Sequence, residues 1–321
     1  MVYDVFAFFN ELDILKLRLN IMNPFVDRFV IGESTHTFSG LPKELCFEKN
    51  RELFAEFLPK IEYIVIDDSP PEFTPFERDG YQKNHLIRGL KNATAEDIII
   101  FSDLDEIPNP EVVKEIIKNF NPDYVYHLAQ RMFHGYLNWE EISERLLSNT
   151  GEFAGVSPKK WLGSKVFSMK NMPEKGITYI RETSTGLTIS IRVDHGGWHF
   201  SYMGGSGEKD LSKRVADKII AAAHQEYNEK HTLAEIAAKT VLGKDFLGSD
   251  AKFARVPIDE SFPQYLRDNL KEYENLIMPP VSKWRMGFTK ISILIRRFFR
   301  KIYMRIIRFL KTGKIFRDKV N

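Results

Sequence analysis

The chain has 321 residues, 43% hydrophobic and 28% charged, with one cysteine, Cys46, and a net charge of +2. That composition excludes a disordered or fibrous chain and an internal disulfide, fits a reducing compartment, and allows one large core or two modest ones. The near-neutral total hides an asymmetry: from Lys283 onward thirteen Lys or Arg face a single acid, Asp318, a surplus of twelve, so the preceding residues carry −10. An acidic body with a basic tail argues against nucleic-acid binding by the main domain.

Residues 2–9 form an apolar run that reads as a buried strand, with no secretory leader ahead of it. Leu12, Leu15, Leu19 and Met22 recur at helical spacing through residues 10–22, and Asn23-Pro24 ends that helix, because proline disfavours helical backbone in the residue before it. Residues 29–31 read as a second strand running into the polar turn 33–36. Residues 48–58 read as a helix, 61–66 as a strand, 70–71 as a loop, 78–90 as a helix and 97–101 as a strand. Strands alternating with helices predict a mostly parallel sheet flanked by helices. Ligands of such sheets bind outside the carboxyl ends of the strands. There the polar clusters Asn10-Glu11, Glu33-Ser34 and 103–106 are expected to converge.

The second half is less regular. Residues 124–131, 165–169 and 188–193 read as strands, the glycine- and aromatic-rich stretch 195–202 leads through a turn at Trp198-His199 to Gly204-Gly205, and 211–227 and 232–242 read as helical. Pro279-Pro280 divides a body, residues 1–280, from a tail, 281–321. On a helical wheel at 100° per residue, Ile291, Leu294, Ile295, Phe298, Phe299, Ile302, Ile306 and Phe309 fall on one side of that tail. Arg296, Arg297, Arg300, Lys301, Arg308 and Lys311 fall on the other, with Arg305 at the margin. An in-plane helix on an anionic membrane surface fits that pattern, whereas its arginines make a crossing very costly. A helix folded back on the acidic body is the alternative.

The strongest chemical signal is Asp103-Leu104-Asp105. A hydrophobic strand delivers two carboxylates, two residues apart, to an edge where the chain ceases to be apolar, and in extended backbone such side chains share a face. Two carboxylates repel unless something positive lies between them. A hard divalent cation, Mg²⁺ or Mn²⁺, is the natural partner and would neutralise a departing diphosphate. A solvated acidic turn capping a helix from Pro110 is the competing reading. His199, in Gly196-Gly197-Trp198-His199, is a possible further metal ligand or a core histidine beside Trp198 and Phe200. His195 reads as structural.

Four blocks, Tyr3–Asp13 (YDVFAFFNELD), Val30–Gly40 (VIGESTHTFSG), Ile100–Pro108 (IFSDLDEIP) and Gly197–Tyr202 (GWHFSY), appear in an order that resembles glycosyltransferase family 17. That is the beta-1,4-mannosyl-glycoprotein 4-beta-N-acetylglucosaminyltransferase family. The resemblance covers residues 2 to about 230 and leaves out the tail. It implies a GT-A type fold with a nucleotide-binding half and an irregular acceptor half. It also implies a UDP-sugar donor, UDP-N-acetylglucosamine in particular, a glycan acceptor, and transfer with inversion. By that resemblance Asp103 and Asp105 hold the metal and the diphosphate, and His199 matches the histidine of the Gly-Trp-His block. The single cysteine and the missing anchor differ from the animal enzyme. They suggest a microbial member acting in the cytoplasm, peripheral at the inner face of the membrane, on a lipid-linked cell-surface glycan precursor.

Asn10, Glu11, Glu33 and Arg78 are the further donor-binding candidates, Glu33 toward uracil or ribose and Arg78 toward phosphate, with a structural cap the equal alternative for Glu33. Arg88 reads as a surface salt bridge. An inverting transfer needs a general base, for which Asp194 and Glu208 are the candidates. A nucleotidyltransferase would use the same acidic pair, but it would want an early glycine-rich basic loop for the triphosphate, which residues 10–22 do not supply. A non-catalytic carbohydrate-binding or membrane-scaffold protein is the remaining alternative.

Overall fold

The computed structural model describes residues 1–143, 161–182, 189–205 and 207–312. The elements in chain order are β1 (Val2–Phe8), α1 (Leu12–Met22), β2 (Arg28–Ser34), α2 (Cys46–Lys49), β3 (Ile61–Ile66), α3 (Pro75–Asn84), β4 (Ile98–Phe101), β5 (Glu106–Pro108) and α4 (Pro110–Lys118). The second half adds β6 (Tyr124–His134), β7 (Trp139–Glu141), β8 (Lys165–Ser168), α5 (Thr178–Glu182), β9 (Ile189–Ser201), α6 (Leu211–Ala221), α7 (Lys230–Val241), β10 (Phe253–Arg255), α8 (Gln264–Asp268) and α9 (Lys283–Thr312).

The strands form one mixed sheet, ordered β10-β7-β6-β8-β4-β1-β2-β3, with β9 pairing both β5 and β6. The four strands of the first half, β3-β2-β1-β4, are parallel as their alternation with helices requires. Beyond β4 the sheet turns antiparallel at β8, and only the β6–β9 pair returns to parallel. The parallel strands are apolar on both faces because both are covered. Val2, Phe6 and Phe8 of β1 and Ile98 and Ile100 of β4 pack with the Leu and Ile side chains of α1. Tyr3, Val5, Ile99 and Phe101 point the other way, onto Leu86, Leu90, Ile177 and Ile180. Helix α1 is buried on nearly every side, since Phe262, Leu266, Tyr273 and Leu276 from the far end of the body close over it.

Several expected elements change form. The helix expected over 48–58 is only α2 followed by 3-10 turns at Arg51–Phe54 and Leu58–Lys60. The helix expected from Arg78 starts earlier, at Pro75. Thr74 caps it by accepting from the Glu77 N–H while Glu77 reaches back to the Thr74 N–H, a reciprocal capping box. It ends at Asn84 and tightens into a 3-10 segment at His85–Leu90, where a Cβ on Gly89 would stand 2.4 Å from a Val30 methyl. The segment 195–202 is not a free turn. Its residues to Ser201 belong to β9, which crosses β5 with Glu106 opposite His199 and Pro108 opposite Gly197. Gly197, at φ 137, is required there, because a Cβ would lie 2.2 Å from the Ile107 carbonyl oxygen. Thr188, the first residue of the strand expected over 188–193, lies outside the described residues.

The core runs to Met278, whose N–H donates to Asn138 Oδ1 at 2.7 Å, and Pro279 and Pro280 are exposed. Helix α9 follows. No described helix is long and apolar enough to cross a membrane. On α9, Trp284, Phe288, Ile291, Leu294, Phe298 and Phe299 are all exposed, Leu294 at 64%. The side chains of Arg296, Arg297, Arg300, Lys301, Arg305, Arg308, Phe309 and Lys311, and all of residues 313–321, lie outside the described residues.

One buried side chain locks these layers. Arg18, in the middle of α1 and 0% exposed, forks the Asp4 carboxylate of β1 at 2.6 and 2.9 Å. It also donates to Ser102 Oγ at 2.7 Å and to the carbonyls of Asp103, Leu104 and Glu106 at 2.8, 3.1 and 3.3 Å. Removing one partner of such a buried pair costs about 3–5 kcal/mol. Arg18→Met is therefore expected to lower the thermal midpoint by roughly 10 °C, and Asp4→Leu in the same chain to recover part of the loss. A midpoint within a degree of the parent would show that the pair carries no such weight.

Candidate active site

Because β2, β1 and β4 are parallel neighbours, their carboxyl ends share one edge, and a cavity of about 350 Å³ opens there. That is within the ordinary range for a small-molecule site. Among the described residues its wall holds four acids, Glu11, Asp79, Asp103 and Asp105, and four bases, Lys43, Lys83, Arg181 and Lys218. Phe9, Phe38, Phe76, Trp161 and Tyr202 supply flat apolar faces between them. Tyr202 closes β9 in left-handed backbone, at φ 64.

The acidic turn hangs between two supports. From the α1 side Arg18 ties its carbonyls, as described. From the opposite side the fully buried Glu106 carboxylate accepts from Arg181 Nη2 at 2.6 Å, Arg181 Nη1 at 3.1 Å, Trp161 Nε1 at 2.5 Å and the Asp103 N–H at 3.0 Å. Both aspartates are thereby presented to the cavity from a fixed backbone.

Each aspartate already faces protein cations. Asp103 lies 2.8 Å from Arg181 Nη2 and 3.1 Å from Lys83 Nζ, which also pairs with Asp79 at 2.9 Å. Asp105 lies 2.5 Å from Lys218 Nζ and 3.4 Å from His199 Nε2. Burial alone would raise both carboxyl pKa values. Arg181 and then Lys83 outweigh it at Asp103, which is held down at about 2, and Lys218 and His199 drive Asp105 below the usual carboxylate range. The positive charge that the sequence argument required beside the pair is supplied here by three cations of the protein itself. Among the described residues no three His, Cys, Asp or Glu side chains are grouped as a metal cage.

Of the residues expected from sequence, the structure brings Glu11, Asp103, Asp105 and His199 together on the cavity wall. The others stand elsewhere. Glu33 is 0% exposed and spends its oxygens on Lys43 Nζ, the Cys46 and Phe47 N–H groups and Tyr63 Oη at 2.6–2.9 Å, anchoring the start of α2, so it has nothing left for uracil or ribose. Arg78 is spent on the carbonyls of Phe38, Pro71 and Phe73 at 2.8–3.2 Å and not on phosphate. Asn10 Oδ1 accepts from the Gly205 N–H at 3.3 Å. Asp194 pairs with Arg192, and Glu208 accepts from the Asp210 N–H and Lys213. Neither lines the cavity, so neither is placed to act as its base. Arg88 pairs with Asp68 on the surface, as its position suggested.

Sequence reasoning missed Lys83, Arg181, Lys218, Asp79 and Trp161. Lys83 was within reach: once Thr74-x-x-Glu77 is seen as a helix start, Asp79 and Lys83 stand four apart on one face. Arg181 and Lys218 carry no local signal.

A carboxyl with a lowered pKa stabilises the fold above its ordinary value, 3.8 for Asp103, and that contribution fades as pH falls toward about 2. Lys83→Met removes one of its two cations. The Asp103 titration, followed by carboxylate NMR, is expected to move from about 2 toward the ordinary range, so that acid destabilisation sets in at higher pH. No movement would mean that Arg181 alone holds it.

Residues 1–141 match Glycosyltransferase family 17. The chain is also similar to the beta-1,4-mannosyl-glycoprotein 4-beta-N-acetylglucosaminyltransferases of Homo sapiens and Rattus norvegicus. The first is 26% identical over 86% of this chain and 55% of that one, the second 22% identical over 84% and 53%. The chain thus spans about half the length of these relatives. Among solved structures, residues 1–349 of S. aureus TarS align over 75% of this chain and 70% of that one, at 12% identity and a TM-score of 0.35. Over the segment that builds the parallel half of the sheet and carries the acidic turn, the chain matches glycosyltransferase family 17.

Proposed function

We propose that the chain is a GT-A type glycosyltransferase that moves a sugar, N-acetylglucosamine, from a UDP-sugar to a glycan acceptor with inversion. One observation carries the reading. At the carboxyl edge of the parallel strands, within the family match, Asp103 and Asp105 face a cavity that also holds Lys83, Arg181 and Lys218. A nucleotide sugar carries its charge on a central diphosphate, with a neutral base at one end and a neutral sugar ring at the other. The three cations suit its diphosphate, and the faces of Phe9, Phe38 and Phe76 suit a base or a sugar ring.

The donor set fits a divalent ion that brings phosphate and water as further ligands. Asp103 and Asp105 offer hard oxygens, and Mg²⁺ or Mn²⁺ at nucleotide sites is commonly held by one or two carboxylates with the rest from substrate. His199 stands beside Asp105 with its Nδ1 buried and unbonded among the described residues, an imidazole still open to partnership. Such an ion, when bound, would neutralise the leaving diphosphate. The chain's own part is to fix the two carboxylates through Arg18 and Glu106, to place cations around the phosphates, and to narrow the entrance with aromatic rings. The base that accepts the acceptor hydroxyl's proton belongs among the groups on the cavity wall.

Release of UDP from a panel of UDP-sugars, with glycan acceptors and Mn²⁺, tests the activity. Asp105→Asn is expected to cut it by at least about a hundredfold, the scale of losing one preorganised contact. Because Asp105 is paired with Lys218 and His199, the same change should lower the melting temperature and not raise it. A fully active variant, or no UDP release from any donor, would refute the proposal.

We read residues 281–321 as a membrane-associating tail at the inner face of a membrane, which would bring lipid-linked acceptors to the site. Its support is the row of exposed apolar side chains on α9 and the surplus of twelve cations. Each cation near an anionic surface contributes on the order of 1 kcal/mol. The full chain is expected to sediment with anionic liposomes, less so at high salt, and a chain ending at Pro280 to stay in the supernatant. Equal sedimentation of the two would remove the tail from the account.

A further inference from the structure

Lys218 enters the cavity from α6, outside the segment that matches the family. Its Nζ lies 2.5 Å from Asp105 Oδ2 and 3.3 Å from Glu11 Oε1. The other oxygen of Asp105 faces His199 Nε2 at 3.4 Å. Both oxygens of this carboxylate therefore confront a nitrogen, and a cation that binds there must compete with the Lys218 ammonium.

The two neighbours differ in their freedom to move. His199 is 10% exposed on β9, in backbone held by β5 and β6 on either side. Lys218 is 25% exposed toward the cavity, at the end of a flexible four-carbon stem. The other two cations are fixed more firmly. Arg181 forks Glu106 while holding Asp103, and Lys83 bridges Asp79 and Asp103. Lys218 is the ammonium best placed to leave its carboxylate.

We infer that Lys218 is an exchangeable counter-charge: it occupies Asp105 in the free protein and swings to the donor's diphosphate when a divalent ion takes Asp105. The inference rests on the proposed reading of the cavity as a nucleotide-sugar site. The exchange keeps every charge paired. Asp105 trades an ammonium for an ion, Glu11, 3.3 Å from the departing Nζ, faces that same ion's charge, and the diphosphate receives the displaced ammonium. Ion and nucleotide then reinforce each other through one side chain, and the reinforcement must be equal in both directions.

Calorimetry with Mn²⁺ alone, UDP alone and each in the presence of the other tests it on the whole chain, with Mn²⁺ binding checked by electron spin resonance. In Lys218→Met, Mn²⁺ alone is expected to bind about tenfold more tightly, because its competitor is gone. UDP without metal should change by less than about twofold, and UDP with Mn²⁺ should weaken about tenfold, within the usual span of coupling between sites. Lys218→Arg, which keeps the charge, should leave Mn²⁺ binding as weak as in the parent. If Lys218→Met does not fold, Lys218→Gln carries the same comparison. Unchanged Mn²⁺ affinity would overturn the exchange, and an equal loss of UDP with and without metal would reduce Lys218 to a fixed phosphate contact. If the parent binds no UDP in any condition, the nucleotide-sugar reading itself fails, and this inference with it.

Discussion

A single buried guanidinium connects the core of this protein to its chemistry. Arg18 lies on the buried side of α1 with no exposed surface, where an unpaired charge would be intolerable. It is satisfied because Asp4 approaches from β1, Ser102 offers its hydroxyl, and the chain after β4 folds three carbonyls toward it. The same bonds that make the charge bearable fix the turn at 103–106. The acidic motif is therefore not a loose loop at the end of a strand. Its backbone is part of the packing of α1 on the sheet, and its side chains inherit that rigidity.

Rigidity creates an electrostatic problem that the second half of the chain solves. Glu11, Asp79, Asp103, Asp105 and Glu106 gather within the reach of one cavity, three of them, Glu11, Asp105 and Glu106, almost wholly buried at 0–5% exposed. Glu106, 0% exposed, is held by the Arg181 fork, the Trp161 N–H and the Asp103 N–H. Asp105, 5% exposed, relies on Lys218 and His199. The sheet edge supplies the negative charge from early sequence, and α5, α6 and β9 bring much of the positive charge from late sequence. This division explains why the charges balance although neither half is balanced by itself.

The same division explains what the sequence disclosed and what it withheld. Strands β1 to β4 and helix α1 were legible because both faces of the parallel sheet are covered, which writes long apolar runs and clean helical spacing into the chain. The placing of Asp103 and Asp105 at the carboxyl edge was legible because an apolar strand runs directly into them. Glu33 and Arg78 looked like ligand groups from the same kind of position, yet both are consumed by backbone N–H and carbonyl groups of neighbouring loops. Sequence shows that a polar residue stands at a strand end or a helix start. It does not show whether loop backbone will reach the residue before a ligand does. His199 illustrates the opposite case, since its partnership with Asp105 follows from the crossing of β9 over β5, a contact across more than ninety positions that no local pattern records.

Pairing across such distances also constrains how the site came to be assembled. Arg181 and Lys218 sit on short helices whose own sequences give no hint of a role, and each ends on a carboxylate fixed by the parallel strands. Were the first half folded alone, Glu106 would be a buried carboxylate with its Arg181 and Trp161 donors removed, and Asp105 would face His199's empty place. Keeping either carboxylate buried without those partners would cost several kcal/mol, which is comparable with the whole net stability of a domain. The acidic turn can adopt its buried geometry only when the later segments are docked. Folding of the site and docking of the irregular half are, on this argument, one cooperative event, and the cavity between them exists only in the completed fold.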